Sequence, residues 1–149
     1  MLASTKTQKL DYKKVIIETI AYAYIILFVY AAMYKLFDIP FFQRQLAKSP
    51  LIGDWSILFS YTIPTLELLL AVLIFWPKTK WYGLVGGTAL MWSFTVYIAY
   101  ILNFSPDVPC SCGGVLATMG WRDHLIFNSL YVVAGLTALW LTHSTSKRK

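Results

Sequence analysis

The sequence has little charge. Only 13% of its 149 residues are Asp, Glu, Lys or Arg, whereas 58% are hydrophobic. Soluble domains carry roughly 25% charged and about 45–50% apolar residues, so this composition excludes an ordinary soluble domain and predicts a membrane protein. The net charge of +6 does not indicate a nucleic-acid partner, because the basic residues cluster at the ends of long apolar segments.

Cysteine and histidine are equally scarce, with two of each in the chain. A structural zinc site usually needs four such ligands, so no metal site is predicted for this chain by itself. One alternative stays open: two thiolates together with His124 could hold Cu(I) or Zn(II) if a partner protein completed the ligand set.

Long apolar runs account for most of the chain. A spanning helix needs about 20 apolar residues, and four segments meet that length. They cover residues 15–37, 52–76, 81–104 and 124–142. The pattern predicts an all-α membrane protein, a single four-transmembrane-helix bundle over residues 1–149 with polar tails at 1–12 and 143–149. After the first segment, the amphipathic stretch from Phe41 to Leu46 predicts a short interfacial helix.

Lysine and arginine are unevenly distributed between the two sides of this bundle, nine on one side and four on the other. The nine are Lys6, Lys9, Lys13, Lys14, Lys78, Lys80, Lys147, Arg148 and Lys149, and the four are Lys35, Arg44, Lys48 and Arg122. The positive-inside rule therefore predicts that both termini are cytoplasmic. The loop between the third and fourth segments then faces outward, where disulfides persist.

That loop carries Cys110 and Cys112, separated only by Ser111. In an extended chain residues i and i+2 have Cα atoms about 6.5 Å apart, near the upper limit for a disulfide. A disulfide here is strained, and strained, exposed disulfides tend to be labile and oxidising. The spacing favours a redox pair over a static disulfide, two inert thiols or the metal site mentioned above.

Polar residues recur at the start of the fourth segment, where His124, Asn128 and Tyr131 share one helical face. His124 lies close in sequence to the cysteines, so it could assist thiol deprotonation or donate a proton to a quinone head group. The alternative is that His124 and Asn128 only form hydrogen bonds with neighbouring helices. The sequence leaves both interpretations open.

An acidic residue, Glu67, lies inside the second segment beside Pro64. A carboxylate in hydrocarbon is costly unless it is protonated or paired, so Glu67 is expected to face the bundle interior. Lys35, near the end of the first segment, is a candidate partner, although its long side chain could instead extend to the interface. A hydrogen bond with a tyrosine is the alternative for Glu67. A structural role and a proton-relay role are both compatible with this position.

Tyrosines are frequent in the first segment, where Tyr30 and Tyr34 lie one turn apart. They are expected to line the core together with Tyr24 and Tyr97. Such a group could form an aromatic wall for a quinone, but aromatic stripes at helical spacing are more often simple packing.

Several short motifs follow one another in a characteristic order along the chain. They are Tyr34 to Asp38, Phe42 to Pro50, Pro64 to Glu67, and Cys110 to Gly114 followed by Trp121 and Asn128. In order and spacing they resemble the DoxX-like superfamily and, more narrowly, its MauE branch of methylamine-utilisation membrane proteins. The resemblance extends from about Val15 to Thr142. It implies a four-helix bundle of the bacterial inner membrane that supports disulfide formation in exported proteins, often beside a thioredoxin-like partner.

Similar bundles oxidise such partners and pass electrons to quinone, but they use two cysteine pairs where this chain has one. Either Cys110 and Cys112 do both jobs, or a partner protein holds the other dithiol, or electron transfer to quinone is not the function. We predict a membrane thiol/disulfide redox protein that supports disulfide formation or electron transfer for exported partners, with quinone as the candidate cofactor. The residues predicted for the thiol chemistry are Cys110, Cys112 and His124, and those predicted for cofactor binding are Lys35, Glu67, Tyr30, Tyr34 and Asn128. The alternative is a non-catalytic subunit that docks or stabilises a larger membrane complex.

Overall fold

The computed structural model describes residues 12–49, 51–104 and 120–146. Over these residues the chain forms helices and turns, and no strand. The helices are α1 (Tyr12–Phe37), α2 (Ile39–Ala47), α3 (Ser56–Phe75), α4 (Lys80–Phe104) and α5 (Trp121–Ser146), with a short 3-10 turn (Gly53–Trp55) leading into α3. In this part of the chain four helices, α1, α3, α4 and α5, are long and apolar enough to span a bilayer. The predicted all-α, four-span architecture is confirmed.

The helix ends differ from the predicted spans by several residues. Helix α5 continues to Ser146, so residues 143–146, predicted as part of a polar tail, extend the helix. Hydropathy marks the part of a helix that lies in hydrocarbon, whereas backbone hydrogen bonds carry the helix further into the polar region.

The spanning helices follow one another around a ring. Helix α1 packs against α3 and α5, and α4 packs against the same two helices from the other side. The connection from α3 to α4 is a tight turn in which the Thr79 hydroxyl donates to the Leu73 carbonyl over 2.8 Å. Close to this turn, a Cβ atom added at Gly83 would lie only 2.6 Å from the Ile74 backbone nitrogen. A glycine therefore allows α3 and α4 to touch here.

The packed core occupies the half of the bundle nearest that turn. Tyr24 is fully buried, and its hydroxyl donates to the Tyr131 carbonyl over 2.7 Å, which joins α1 to α5. The Phe28 ring meets the Tyr24 ring edge-on at 5.6 Å between centroids. These contacts fill the centre of the ring and leave the opposite half for the site described below.

Helix α2 covers the other end of the bundle, which we call the α2 end. Asp38 caps it by accepting a hydrogen bond from the Phe41 backbone nitrogen over 2.9 Å. The short helix predicted from the amphipathic stretch is present, but its apolar face, with Phe42 and Leu46, is buried against α3 rather than left to lipid. Beyond α2, the Ser49 hydroxyl accepts a hydrogen bond from Tyr97 over 2.8 Å, which joins this turn to α4.

Candidate functional site

A cavity of about 340 Å³ lies inside the bundle toward the α2 end. This volume is within the roughly 300–1,000 Å³ range of small-molecule sites. All five helices contribute to its lining, which is mainly apolar and includes Phe28, Phe42, Phe59, Phe94 and Ile98. The polar residues that line it are Lys35, Glu67, Tyr30, Thr62, Ser93, Tyr97, His124 and Asn128. A mostly apolar cavity with a few converging polar groups is typical of a ligand site.

An ion pair between Lys35 and Glu67 crosses the cavity wall from α1 to α3. Lys35 Nζ donates to Glu67 Oε1 over 2.5 Å, and the two residues are only 7% and 1% exposed. The pairing considered from the sequence is confirmed, and extension of Lys35 to the interface is wrong. The Cα–Cβ bonds of a helix tilt toward its N-terminus, so a lysine near the C-terminal end of α1 points back into the bundle.

Lys35 has an aromatic neighbour, and one carboxylate oxygen of Glu67 has no hydrogen-bond partner among the described residues. The Phe42 ring of α2 lies with its centroid 5.8 Å from Lys35 Nζ, close enough for a cation–π contact. The second carboxylate oxygen of Glu67, Oε2, is buried and has no hydrogen-bond partner among the residues that the structure describes. Because Glu67 lines the cavity, this oxygen is a hydrogen-bond acceptor that a ligand can use.

His124 and Asn128 bring α5 into the same site from the first two turns of that helix. The His124 backbone nitrogen donates to the Gly120 carbonyl over 2.9 Å, so the helix is already formed where the imidazole enters the cavity wall. Both side chains are buried, and Asn128 is 3% exposed. The Asn128 amide nitrogen has no hydrogen-bond partner within residues 12–49, 51–104 and 120–146. It is therefore a donor facing a cavity that also offers an acceptor.

The tyrosines predicted for a quinone wall are divided by the fold. Tyr97 lines the cavity, and Tyr30 lines it while 42% exposed. Tyr34 is 39% exposed and is not part of the lining, so its expected place in the core is wrong. The buried face of α1 passes through Phe28 and Lys35, and a position adjacent to Lys35 is rotated by about 100° away from it.

A sequence-family model of the methylamine utilisation protein MauE matches residues 13–141. The chain belongs to the MauE family. The match includes α3 and α4 completely and most of α1 and α5. It confirms the narrower of the two resemblances, whereas the wider DoxX-like relationship stays a prediction. No curated protein and no solved structure matches the chain.

The cysteine pair of this MauE-family chain, Cys110 and Cys112, lies outside the described residues. The segment that contains it connects Phe104, the last residue of α4, to Gly120, which directly precedes α5. Both attachment points belong to the α2 end of the bundle. Among the residues with described positions, no group of three or more His, Cys, Asp or Glu side chains could hold a metal ion.

Sequence reasoning missed two hydroxyl residues of the MauE-family cavity, Thr62 on α3 and Ser93 on α4. The Thr62 hydroxyl donates to the Leu58 carbonyl over 2.8 Å, and the Ser93 hydroxyl donates to the Ala89 carbonyl over 2.9 Å. Such bonds are the usual way in which a spanning helix satisfies a hydroxyl group, so neither residue gave a signal in the sequence. The apolar face of α2 did give a signal in the sequence, because its amphipathic pattern shows that this face must be buried against protein or lipid.

Proposed function

We propose that this MauE-family chain is a membrane thiol/disulfide redox protein that exchanges disulfides with an exported, thioredoxin-like partner through Cys110 and Cys112. The observation that carries the proposal is the attachment of the cysteine segment. The segment is attached to Phe104 at the end of α4 and to Gly120, four residues before His124 in the cavity wall. The two residues to which the segment is attached therefore belong to the end of the bundle that also holds the polar cavity.

The exchange is a two-electron reaction that needs no further group in its first half. A thiolate of the reduced partner attacks one sulfur of the Cys110–Cys112 disulfide, which breaks the S–S bond and forms a mixed disulfide. The second thiol of the partner then attacks the partner's own sulfur in the mixed disulfide. This closes the disulfide of the partner and releases the cysteine of the chain as a thiolate. Two electrons and two protons have passed to Cys110 and Cys112. His124 is the group we assign to take a proton from these thiols when the pair is reoxidised.

The reduced pair must be reoxidised from outside the chain, since the sequence holds no second pair of cysteines. A lipid-soluble quinone supplies this chemistry when bound, by accepting two electrons and two protons to give the quinol. The cavity residues fit such a group, because Asn128 and Lys35 carry donors for ring oxygens and Glu67 carries an acceptor for a hydroxyl. Their roles as cofactor-binding residues are part of this proposal.

The charge distribution supports the location in the membrane that we propose. The excess of lysine and arginine on the side away from α2 supports cytoplasmic termini and a periplasmic α2 end in a bacterial inner membrane. A relationship to the DoxX-like superfamily is also part of this proposal, and it would imply the same four-helix membrane bundle.

Thiol trapping in intact cells tests the proposed function. Membrane-impermeant alkylation is expected to label Cys110 and Cys112 after reduction. Either Cys110→Ser or Cys112→Ser is expected to accumulate a mixed disulfide with the exported partner, which forms when the remaining thiol attacks the disulfide of the oxidised partner. The partner is then identified by mass spectrometry of the trapped species, which disappears on reduction.

The matched control is the double variant Cys110→Ser, Cys112→Ser, which must trap nothing. If this double variant keeps full biological activity, the redox function is wrong. Copurification of a stoichiometric membrane partner, with no redox change at the cysteines during turnover, would then favour the docking subunit instead.

A further inference from the structure

Some residues of α3 and α4 that line the cavity are also exposed on the outside of the bundle. At the end away from α2 these helices touch, as the 2.6 Å approach of a Cβ at Gly83 to the Ile74 backbone nitrogen shows. Toward the α2 end, Thr62, Leu66 and Ser93 line the cavity and are also exposed on the outside of the bundle. Residues that border the cavity and are accessible from outside are the places where it can open, and Tyr30 on α1 is another. Thr62, Leu66 and Ser93 lie on the adjacent helices α3 and α4, and we call the gap that they border the lateral opening.

The lateral opening lies at a depth where the bundle faces hydrocarbon. Thr62 is six residues inside α3, about 9 Å along the helix axis, and Ser93 lies eleven residues before the end of α4, about 17 Å from it. A bilayer has a hydrocarbon core about 30 Å thick, so an opening at these positions connects the cavity to lipid rather than to water. A molecule that uses it must be soluble in the bilayer.

The polar groups inside the cavity restrict the head group of such a molecule. Glu67 Oε2 is a free acceptor and Asn128 Nδ2 a free donor among the described residues. They belong to α3 and α5, which lie diagonally across the ring of helices. Lys35 is already paired with Glu67, so its charge is not available to compensate an anionic head group in the cavity. The fitting head group is neutral and both accepts and donates hydrogen bonds.

The cavity walls favour a flat ring. Phe28, Phe59 and Phe94 contribute aromatic side chains from three different helices. Aromatic rings stack on one another or meet edge to face, which gives a planar head group a contact that an acyl chain lacks.

The geometry points to a binding site for a lipid-soluble quinone and its quinol that is reached from the bilayer through the lateral opening. The ring oxygens take a hydrogen bond from Asn128, and the quinol hydroxyl donates one to Glu67. The role of the quinone as oxidant of the cysteine pair rests on the proposed function. Binding of the quinone itself requires neither Cys110 nor Cys112.

Equilibrium binding of a radiolabelled decyl-substituted benzoquinone to the full chain in lipid nanodiscs tests the site, with empty nanodiscs as the background. The protein carries Cys110→Ser and Cys112→Ser, so no thiol reaction contributes. Saturable binding is expected, with Thr62→Trp and Ser93→Trp each weakening it at least about tenfold by filling the lateral opening. Asn128→Leu removes the donor and is expected to weaken binding several-fold to about tenfold.

Thr65→Trp is the matched control. Thr65 lies on the same helix, is exposed and makes the same hydroxyl bond to the residue four positions earlier, 2.7 Å to the Tyr61 carbonyl, but does not line the cavity. Binding unchanged in Thr65→Trp and weakened in both opening variants supports the access route. Equal binding in all three overturns it.

Two further outcomes address the ligand. If palmitate displaces the quinone at equal concentration, or if no saturable binding is found, the quinone site is wrong. In that case a trapped mixed disulfide at the cysteines would leave the thiol function standing. Conversely, saturable quinone binding in a chain whose cysteines trap no partner supports the site and removes the proposed function.

Discussion

Lys35 on α1 and Glu67 on α3 form an ion pair that is almost completely buried inside the bundle, 2.5 Å from Nζ to Oε1. Removing one member of a buried pair leaves an uncompensated charge, which costs about 3–5 kcal/mol. We expect Lys35→Met to lower the free energy of unfolding by an amount in this range. Chemical unfolding in detergent micelles, followed by circular dichroism, measures it.

The double variant Lys35→Met, Glu67→Leu is the control for this prediction. Because it removes both charges, it is expected to recover most of the lost stability. A double variant as unstable as the single one would mean that packing around the pair, and not its charge, stabilises the bundle.

A second ion pair, between Lys80 and Glu18, is expected to contribute much less to the free energy of unfolding than the pair of Lys35 and Glu67. Lys80 Nζ lies 2.6 Å from Glu18 Oε1, but the two side chains are 20% and 35% exposed. An accessible pair contributes only about 0–1 kcal/mol and is screened by salt. Lys80→Met is therefore expected to change the free energy of unfolding by less than about 1 kcal/mol, and the difference should shrink further at high salt.

Contact between α3 and α4 gives a third prediction. At Gly83 a Cβ would meet the Ile74 backbone nitrogen at 2.6 Å, so Gly83→Ala must push the helices apart and is expected to cost about 1–3 kcal/mol. At Gly86 the nearest atom is the end of the Leu70 side chain, which can rotate away. Gly86→Ala should therefore be the milder of the two in thermal unfolding, and the reverse order would contradict the helix contact.

The fourth prediction concerns the imidazole in the cavity wall. If His124 accepts protons from the cysteine thiols, His124→Asn should slow alkylation of Cys110 and Cys112 several-fold at neutral pH. His143, which is exposed and lies near the far end of α5, provides the control. His143→Asn should leave the alkylation rate unchanged, and equal rates in both variants and the parent chain would exclude this role for His124.

The fold was predictable because long apolar segments permit little else in a bilayer. The pairing of Lys35 with Glu67 was also accessible from the sequence, since a buried carboxylate requires a partner. The face on which Tyr34 lies was not, because a helix that is apolar on all sides gives no sign of which face is buried. The lateral opening was hidden for a similar reason, as Thr62 and Ser93 satisfy their hydroxyls within their own helices.

The neutrality of the Lys35–Glu67 pair has a consequence for energetics across the membrane. Moving one elementary charge across the membrane costs or releases about 2.3 kcal/mol per 100 mV. A neutral ligand that arrives from the lipid carries no charge along the field, and the paired Lys35 and Glu67 leave no net charge in the cavity wall for it to displace. Occupancy of the cavity by such a ligand should therefore be the same in energised and de-energised membranes.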